Sequence, residues 1–158
     1  MRIGAERHAR VELVAGQVAL VAARAAQLGR AGDDRLAVAC GAAAVLGHCF
    51  PLYLRFQGGK GVATGCGALV ALDVRIFLAG AVVWLATAAL TRFAGLASIL
   101  MGVAFPVAAW FLAGDARPEL TWGAGLLTVL ILLRHRSNIS RMLAGTEPRM
   151  GAKRGSGP

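Results

Sequence analysis

Long apolar runs decide what this chain can fold into. Val11 to Leu28, Leu36 to Leu54, Ala94 to Ala113 and Leu120 to Leu133 each approach the length, about 20 mostly apolar residues, at which a helix crosses a bilayer, the last run being short for it. The stretch from Val62 to Leu90 is longer, but Asp73 and Arg75 cut it. It predicts a short helix, Val62 to Leu72, followed by a fuller one, Ile76 to Leu90. The runs are continuous and rich in Ala and Leu, without the period-two alternation of a barrel strand. The expected fold is therefore all-α: a polytopic integral membrane helical bundle of six segments, one of them short and packed on protein. Composition agrees. Charged residues make up 16% of the chain, against roughly 25% in soluble domains, and the mean hydropathy is +0.63. A water-soluble core has no room for that much apolar surface. Residues 1–148 are expected to form one membrane domain, and 149–158 a flexible basic tail.

A formal net charge of +9 raises nucleic acid as a partner. The placement of the charges argues against it. Arg2, Arg7, Arg10, Arg55, Lys60, Arg92 and the six basic residues after Leu133 fall on alternate connections between the apolar runs. That is the asymmetry of a membrane topology rather than a stripe that tracks phosphates. It puts those connections and the C-terminus in the cytoplasm. The other side holds Arg30, Arg35, Arg75 and Arg117, diluted by Asp33, Asp34, Asp73, Asp115 and Glu119. The N-terminal run imitates a signal peptide only loosely, because Glu12, Gln17 and Arg24 interrupt it.

Several chemistries find no support. Cys40, Cys49 and Cys66 are odd in number and form no CxxC pair, which favours buried free thiols. Three scattered histidines, with acids mostly on the far side, do not make a metal site. There is no GxSxG and no Ser–His–Asp set. The HxxxxD pattern of acyl-CoA-dependent glycerolipid acyltransferases is absent, since Tyr53 stands five after His48.

Three polar clusters fall on the expected cytoplasmic side. Gly47-His48-Cys49-Phe50-Pro51 runs into Phe56-Gln57-Gly58-Gly59-Lys60-Gly61. If Gly61 opens a helix, its free backbone N–H groups and Lys60 would converge on one anion. It is not a Walker A loop, because Gly61 rather than Ser or Thr follows Lys60. Read by itself, the stretch is equally a plain turn. The second cluster holds Arg92 and Ser98, read most simply as a positive-inside anchor and a helix serine bonded to its own backbone. In the third, Arg134-His135-Arg136-Ser137-Asn138-Ile139-Ser140-Arg141, helical spacing puts His135, Asn138 and Arg141 on one face with Arg134 close by. A histidine, an amide and guanidiniums suit a phosphorylated polar substrate. A basic collar on a membrane helix is the competing reading, though it needs neither Asn138 nor His135.

Taken together, GHCFPLYLRFQGGKGVAT (47–64) and RHRSNISRMLAGTEP (134–148) resemble the central and C-terminal motifs of the bacterial acyl-phosphate:glycerol-3-phosphate acyltransferase (PlsY) family. The likeness runs from about Glu12 to Arg149. It implies a seven-span inner-membrane enzyme with a cytoplasmic site, which moves an acyl group from acyl-phosphate to the sn-1 hydroxyl of glycerol-3-phosphate. The products would be lysophosphatidate and inorganic phosphate, with neither acyl-CoA, metal nor another cofactor. Membrane lipids would surround it. By resemblance, Lys60 with Gly58, Gly59 and Gly61 would hold substrate phosphate, His135 and Asn138 would orient reacting groups, and Ser98 would add a phosphate contact. His48, Arg92, Arg134 and Arg141 complete the expected binding set.

The chain also departs from that pattern. The family's first motif, a G-S-G-N-x-G-A-T-N loop, is absent, and this chain begins about where that loop should end, which would leave six segments instead of seven. D-x-x-K-G appears as Glu12-Leu-Val-Ala15-Gly16, without the lysine, and R-x-x-S-x-x-S appears as Arg92, Gly95 and Ser98, with one serine missing. Those departures keep open an inactive paralogue acting as a membrane interaction protein. A small anion transporter is a third class, but it would need polar groups along all its spans, whereas here they gather at one face.

Overall fold

The computed structural model describes Gln27, residues 33–52, Arg55 and Phe56, and residues 58–151. The expected span Val11 to Leu28 (Gln27 apart), the basic start and the tail beyond Gly151 lie outside the described residues. The described elements are all helical: α1 (Asp34–Cys49), α2 (Val62–Leu72), α3 (Val74–Thr91), α4 (Ala94–Ala113), a 3-10 turn (Gly114–Ala116), α5 (Pro118–Arg134) and α6 (Arg136–Leu143).

Local chemistry sets the ends. Asp33 caps α1 by accepting from the Leu36 N–H at 3.0 Å. The helix stops at Cys49, short of the expected Leu54, because Phe50 precedes Pro51 and takes a non-helical conformation (φ −129°, ψ 56°). Asp73 ends α2 and caps α3, accepting from the Arg75 N–H at 3.0 Å, so one residue turns the chain between two apolar helices. Pro118 opens α5 at its first turn, where a missing N–H costs nothing.

α4 lies between α3 and α5, while α1 packs on α2 and α5. The core joins Leu69, Ile76, Met101, Phe105, Ala109, Leu120, Ala124 and Ile131. The outer faces carry Leu85, Val107, Phe111, Trp122 and Leu126, all exposed. An apolar exterior of that extent is a lipid-facing surface, not one that meets water. Two described helices, Val74–Thr91 and the continuous stretch Ala94–Ala116, are long and apolar enough to cross a membrane.

Pro106 sits inside α4 and has no N–H to offer the Gly102 carbonyl. Thr128 of α5 meets that need. Its hydroxyl oxygen lies 2.6 Å from the Gly102 oxygen and 2.8 Å from that of Ala124. In hydrocarbon an orphaned carbonyl is costly, so this bond joins the two most central helices. Thr128→Val is expected to destabilise the bundle by about 0.6–1.7 kcal/mol, and Thr128→Ser by less, as read from thermal unfolding in detergent.

Charge separates the two ends of the bundle. At one end Arg117 donates to both carboxylate oxygens of Asp34 (2.6 and 2.7 Å) and lies 3.6 Å from Asp73. Arg75 pairs with Asp73 and Arg35 with Glu119. The acids of the expected outer side therefore bind the helix ends together there. The other end carries Lys60, Arg134, His135, Asn138, Arg141 and Glu147.

Candidate functional site

The glycine loop after α1 is fixed by its neighbours. Gly61 has φ +77°, a left-handed conformation that glycine takes without penalty, and from there α2 begins. Gly58 lies against the carbonyl oxygens of His48 and Cys49, and Gly59 against the His48 imidazole, so closely that a Cβ at either place would collide. Arg134, the last residue of α5, donates to the carbonyls of Gly58 (2.7 Å) and Gly59 (3.0 Å). Its guanidinium also lies over the Phe50 ring at 5.3 Å. Arg134, expected to face a phosphate, therefore holds the loop that would do so.

Lys60 leaves this loop and its Nζ donates to Asn138 Oδ1 at 2.5 Å. The Asn138 amide is buried and donates in turn to Glu147 Oε1 at 2.6 Å. Arg141 Nε donates to Glu147 Oε2 at 2.7 Å. The result is a continuous lysine–amide–carboxylate–guanidinium chain at one end of an apolar bundle. Asn138 and Arg141 share a face of α6, as their spacing predicts. His135 stands at the corner between α5 and α6 rather than inside one helix (φ −100°, ψ 8°). Its imidazole is buried, with Nδ1 2.9 Å from the Ile131 carbonyl oxygen. That oxygen can only accept, so Nδ1 carries the proton and Nε2 of the neutral ring is free to take one. Burial, aided by the Lys60 charge, lowers the His135 pKa against the opposing influence of the Ile131 carbonyl and Glu147.

The sequence reading passed over Glu147. One signal was available: it is the single acid among the six basic residues that follow Leu133. Its side chain is 4% exposed. Burial pushes its pKa up, but the hydrogen bonds from Asn138 and Arg141 and the nearby cations prevail and hold it below the usual carboxylate value.

Ser98 and Arg92, both expected at the site, make their hydrogen bonds elsewhere. Ser98 donates to the Ala94 carbonyl at 2.9 Å and accepts from Trp84 Nε1 at 3.3 Å. Arg92 donates to the Met150 carbonyl from Nε at 3.1 Å and Nη2 at 2.8 Å. Gly95, where the family pattern has a serine, is packed by Asn138: a Cβ there would lie 2.7 Å from its Nδ2.

Burial and the Arg141 charge lower the Lys60 pKa, while Glu147 pulls it back up. Lys60 is thus expected to titrate below the ordinary lysine value of about 10.4. Glu147→Gln removes the raising influence and should move the titration to lower pH. Arg141→Ala removes a lowering one and should move it to higher pH. NMR of the protein with labelled lysine reads both directly, since Lys153 is the only other lysine.

A family model described as Glycerol-3-phosphate acyltransferase matches residues 9–145. A curated glycerol-3-phosphate acyltransferase of Dinoroseobacter shibae is 48% identical over 123 residues, covering 78% of this chain and 59% of the relative. One from Burkholderia ambifaria is 45% identical over 124 residues, covering 78% and 58%. The chain therefore spans about three-fifths of the length of these curated relatives. Its fold is similar to crystal structures of PlsY (YgiH), an integral membrane glycerol 3-phosphate acyltransferase. The glycerol 3-phosphate form gives a TM-score of 0.79 at 31% identity, covering 89% of this chain and 70% of that one. The lysophosphatidic acid form gives 0.78 at 31% identity, covering 89% and 72%.

Proposed function

The chain belongs to the glycerol-3-phosphate acyltransferase family, and from that premise we propose that it transfers an acyl group from acyl-phosphate to the sn-1 hydroxyl of glycerol-3-phosphate. The observation that carries this reading is the Lys60–Asn138 contact at 2.5 Å beside the glycine loop. A cation and an amide meet beside the glycine loop at one end of a lipid-facing bundle, which suits a phosphorylated polar substrate meeting an acylated one; the Gly59 N–H itself donates to the His48 carbonyl at 3.3 Å.

In this mechanism the sn-1 oxygen forms a bond to the acyl carbonyl carbon, and the bond from that carbon to the phosphate oxygen breaks. Inorganic phosphate leaves and lysophosphatidate forms. Lys60 and the first-turn N–H groups of α2 offset phosphate charge, and Asn138 holds the ammonium in place. His135, neutral because it is buried, takes the hydroxyl proton at Nε2 and passes it to the departing phosphate. No side chain becomes acylated, so rate enhancement comes from positioning and charge stabilisation. The basic end would face the cytoplasm of a bacterial inner membrane, a reading supported by the asymmetry of Lys and Arg.

The test is to reconstitute the purified chain in lipid nanodiscs with acyl-phosphate and labelled glycerol-3-phosphate. Labelled lysophosphatidate appearing with an equal amount of phosphate is the expected result. Failure to form it under any lipid composition would overturn the assignment and favour a membrane interaction role.

A further inference from the structure

Arg92 was expected among the phosphate ligands, yet its side chain is turned to the end of the chain. It caps α3 in the left-handed conformation (φ +61°), so its main chain and side chain both face Met150. The Met150 N–H donates to the Arg92 carbonyl at 2.7 Å, and the Arg92 guanidinium returns two bonds to the Met150 carbonyl. Next to this pair, the Arg149 guanidinium lies 5.6 Å from the centre of the Phe93 ring. The near end of the same segment is held as well: the Thr146 N–H donates to the Arg141 carbonyl at 2.8 Å, just after Gly145 turns the chain at φ +68°. Residues 144–151 are thus a strap fastened at both ends, and Glu147 is its one acid.

We infer that Arg92 is a positioning residue: it latches this strap across the α3–α4 corner and so sets Glu147 against Asn138, the partner of Lys60. The inference rests on the functional reading above for its effect on activity, but the latch itself does not. Glu147 follows a glycine by two residues and precedes Pro148, and no helix contains it. Its carboxylate needs both anchors to stay at 2.6 Å from Asn138 Nδ2 and 2.7 Å from Arg141 Nε. Without Arg92 the far anchor keeps only a main-chain bond and a ring contact. Glu147 then leaves, and the Asn138 amide loses the acceptor that fixes which of its two ends faces Lys60.

A double-mutant cycle with Arg92→Ala, Glu147→Gln and both together tests this, using two readouts. Hydrogen–deuterium exchange over residues 146–151 is expected to speed up in Arg92→Ala and to stay at the wild-type rate in Lys60→Ala. Each single variant should lower kcat/KM by about tenfold, and the double variant should be no worse than the poorer single one, because both break one linkage. Arg92→Ala should also move the Lys60 titration to lower pH, as Glu147→Gln does. The groups facing that ammonium are Asn138, Arg141, Glu147 and His135. Unchanged exchange overturns the latch whether or not the chain is an acyltransferase. Faster exchange with additive losses, confined to KM for glycerol-3-phosphate, makes Arg92 a direct phosphate ligand and overturns the positioning role. An inactive wild type with a responsive strap leaves the latch standing and removes the functional reading alone.

Discussion

Lys60→Ala is expected to lower glycerol-3-phosphate acylation by about a hundredfold to a thousandfold, the range found when one preorganised donor to developing charge is lost. No other described cation reaches Asn138, and the nearby guanidiniums are committed: Arg134 to the Gly58 and Gly59 carbonyls, Arg141 to Glu147. Removal also leaves the Asn138 oxygen without a donor inside a buried corner. Lys60→Arg keeps the charge but replaces a compact ammonium with a wide planar fork, so only partial recovery is expected. Initial rates in nanodiscs, measured beside thermal unfolding, separate this from a folding defect. A loss of less than about fivefold would mean that the ammonium is not at the chemistry.

Gly58→Ala is expected to have the next largest effect, about tenfold to a hundredfold, through misplacement of the loop. A Cβ at that position would strike the carbonyl oxygen of His48 and come within 2.6 Å of the Cys49 carbonyl and of Pro51. Two of those neighbours are main chain at the end of α1 and cannot rotate aside. The loop must move instead, and it takes with it the carbonyls that Arg134 holds. Gly125→Ala is the control, because nothing lies within 4 Å of a Cβ there. It should keep the wild-type rate and be no less stable, since it lies inside α5 where Ala is the better helix former. The two substitutions add the same methyl group, one where it collides and one where it does not, so equal loss of activity would refute the steric account.

How far the sequence was legible follows from the range of the forces involved. Apolar runs fix helices locally, so α4 was found at its observed ends, while α3 and α5 extend the expected segments by only a few residues. Pro51 disfavours helix at the residue before it, but the run of apolar letters through Leu54 masked how early α1 ends. His135 and Asn138 were readable because amide and imidazole are unusual in a basic collar, and Lys60 because glycines surround it. Arg134 was read as part of the cluster; that its donors hold Gly58 and Gly59 was not readable. Glu147 and the strap escaped because Asn138 and Glu147 are nine apart, a spacing that no helix face joins. Their contact exists only because the chain doubles back at Gly145. The contact of Arg92 with Met150 escaped for the same reason, since the two lie 58 residues apart. A charge pattern shows which side of a membrane a residue occupies, not which group it meets there.

Binding of glycerol-3-phosphate to the purified chain, measured at equilibrium beside Lys60→Ala and with glycerol as competitor, tests the assignment of this site most directly. Saturable binding that glycerol does not displace, weakened at least about tenfold by Lys60→Ala, is the expected result for a charge-assisted phosphate contact. Equal binding by the two proteins, or no saturable binding by the wild type, would contradict a glycerol-phosphate site built on Lys60, Asn138 and Glu147.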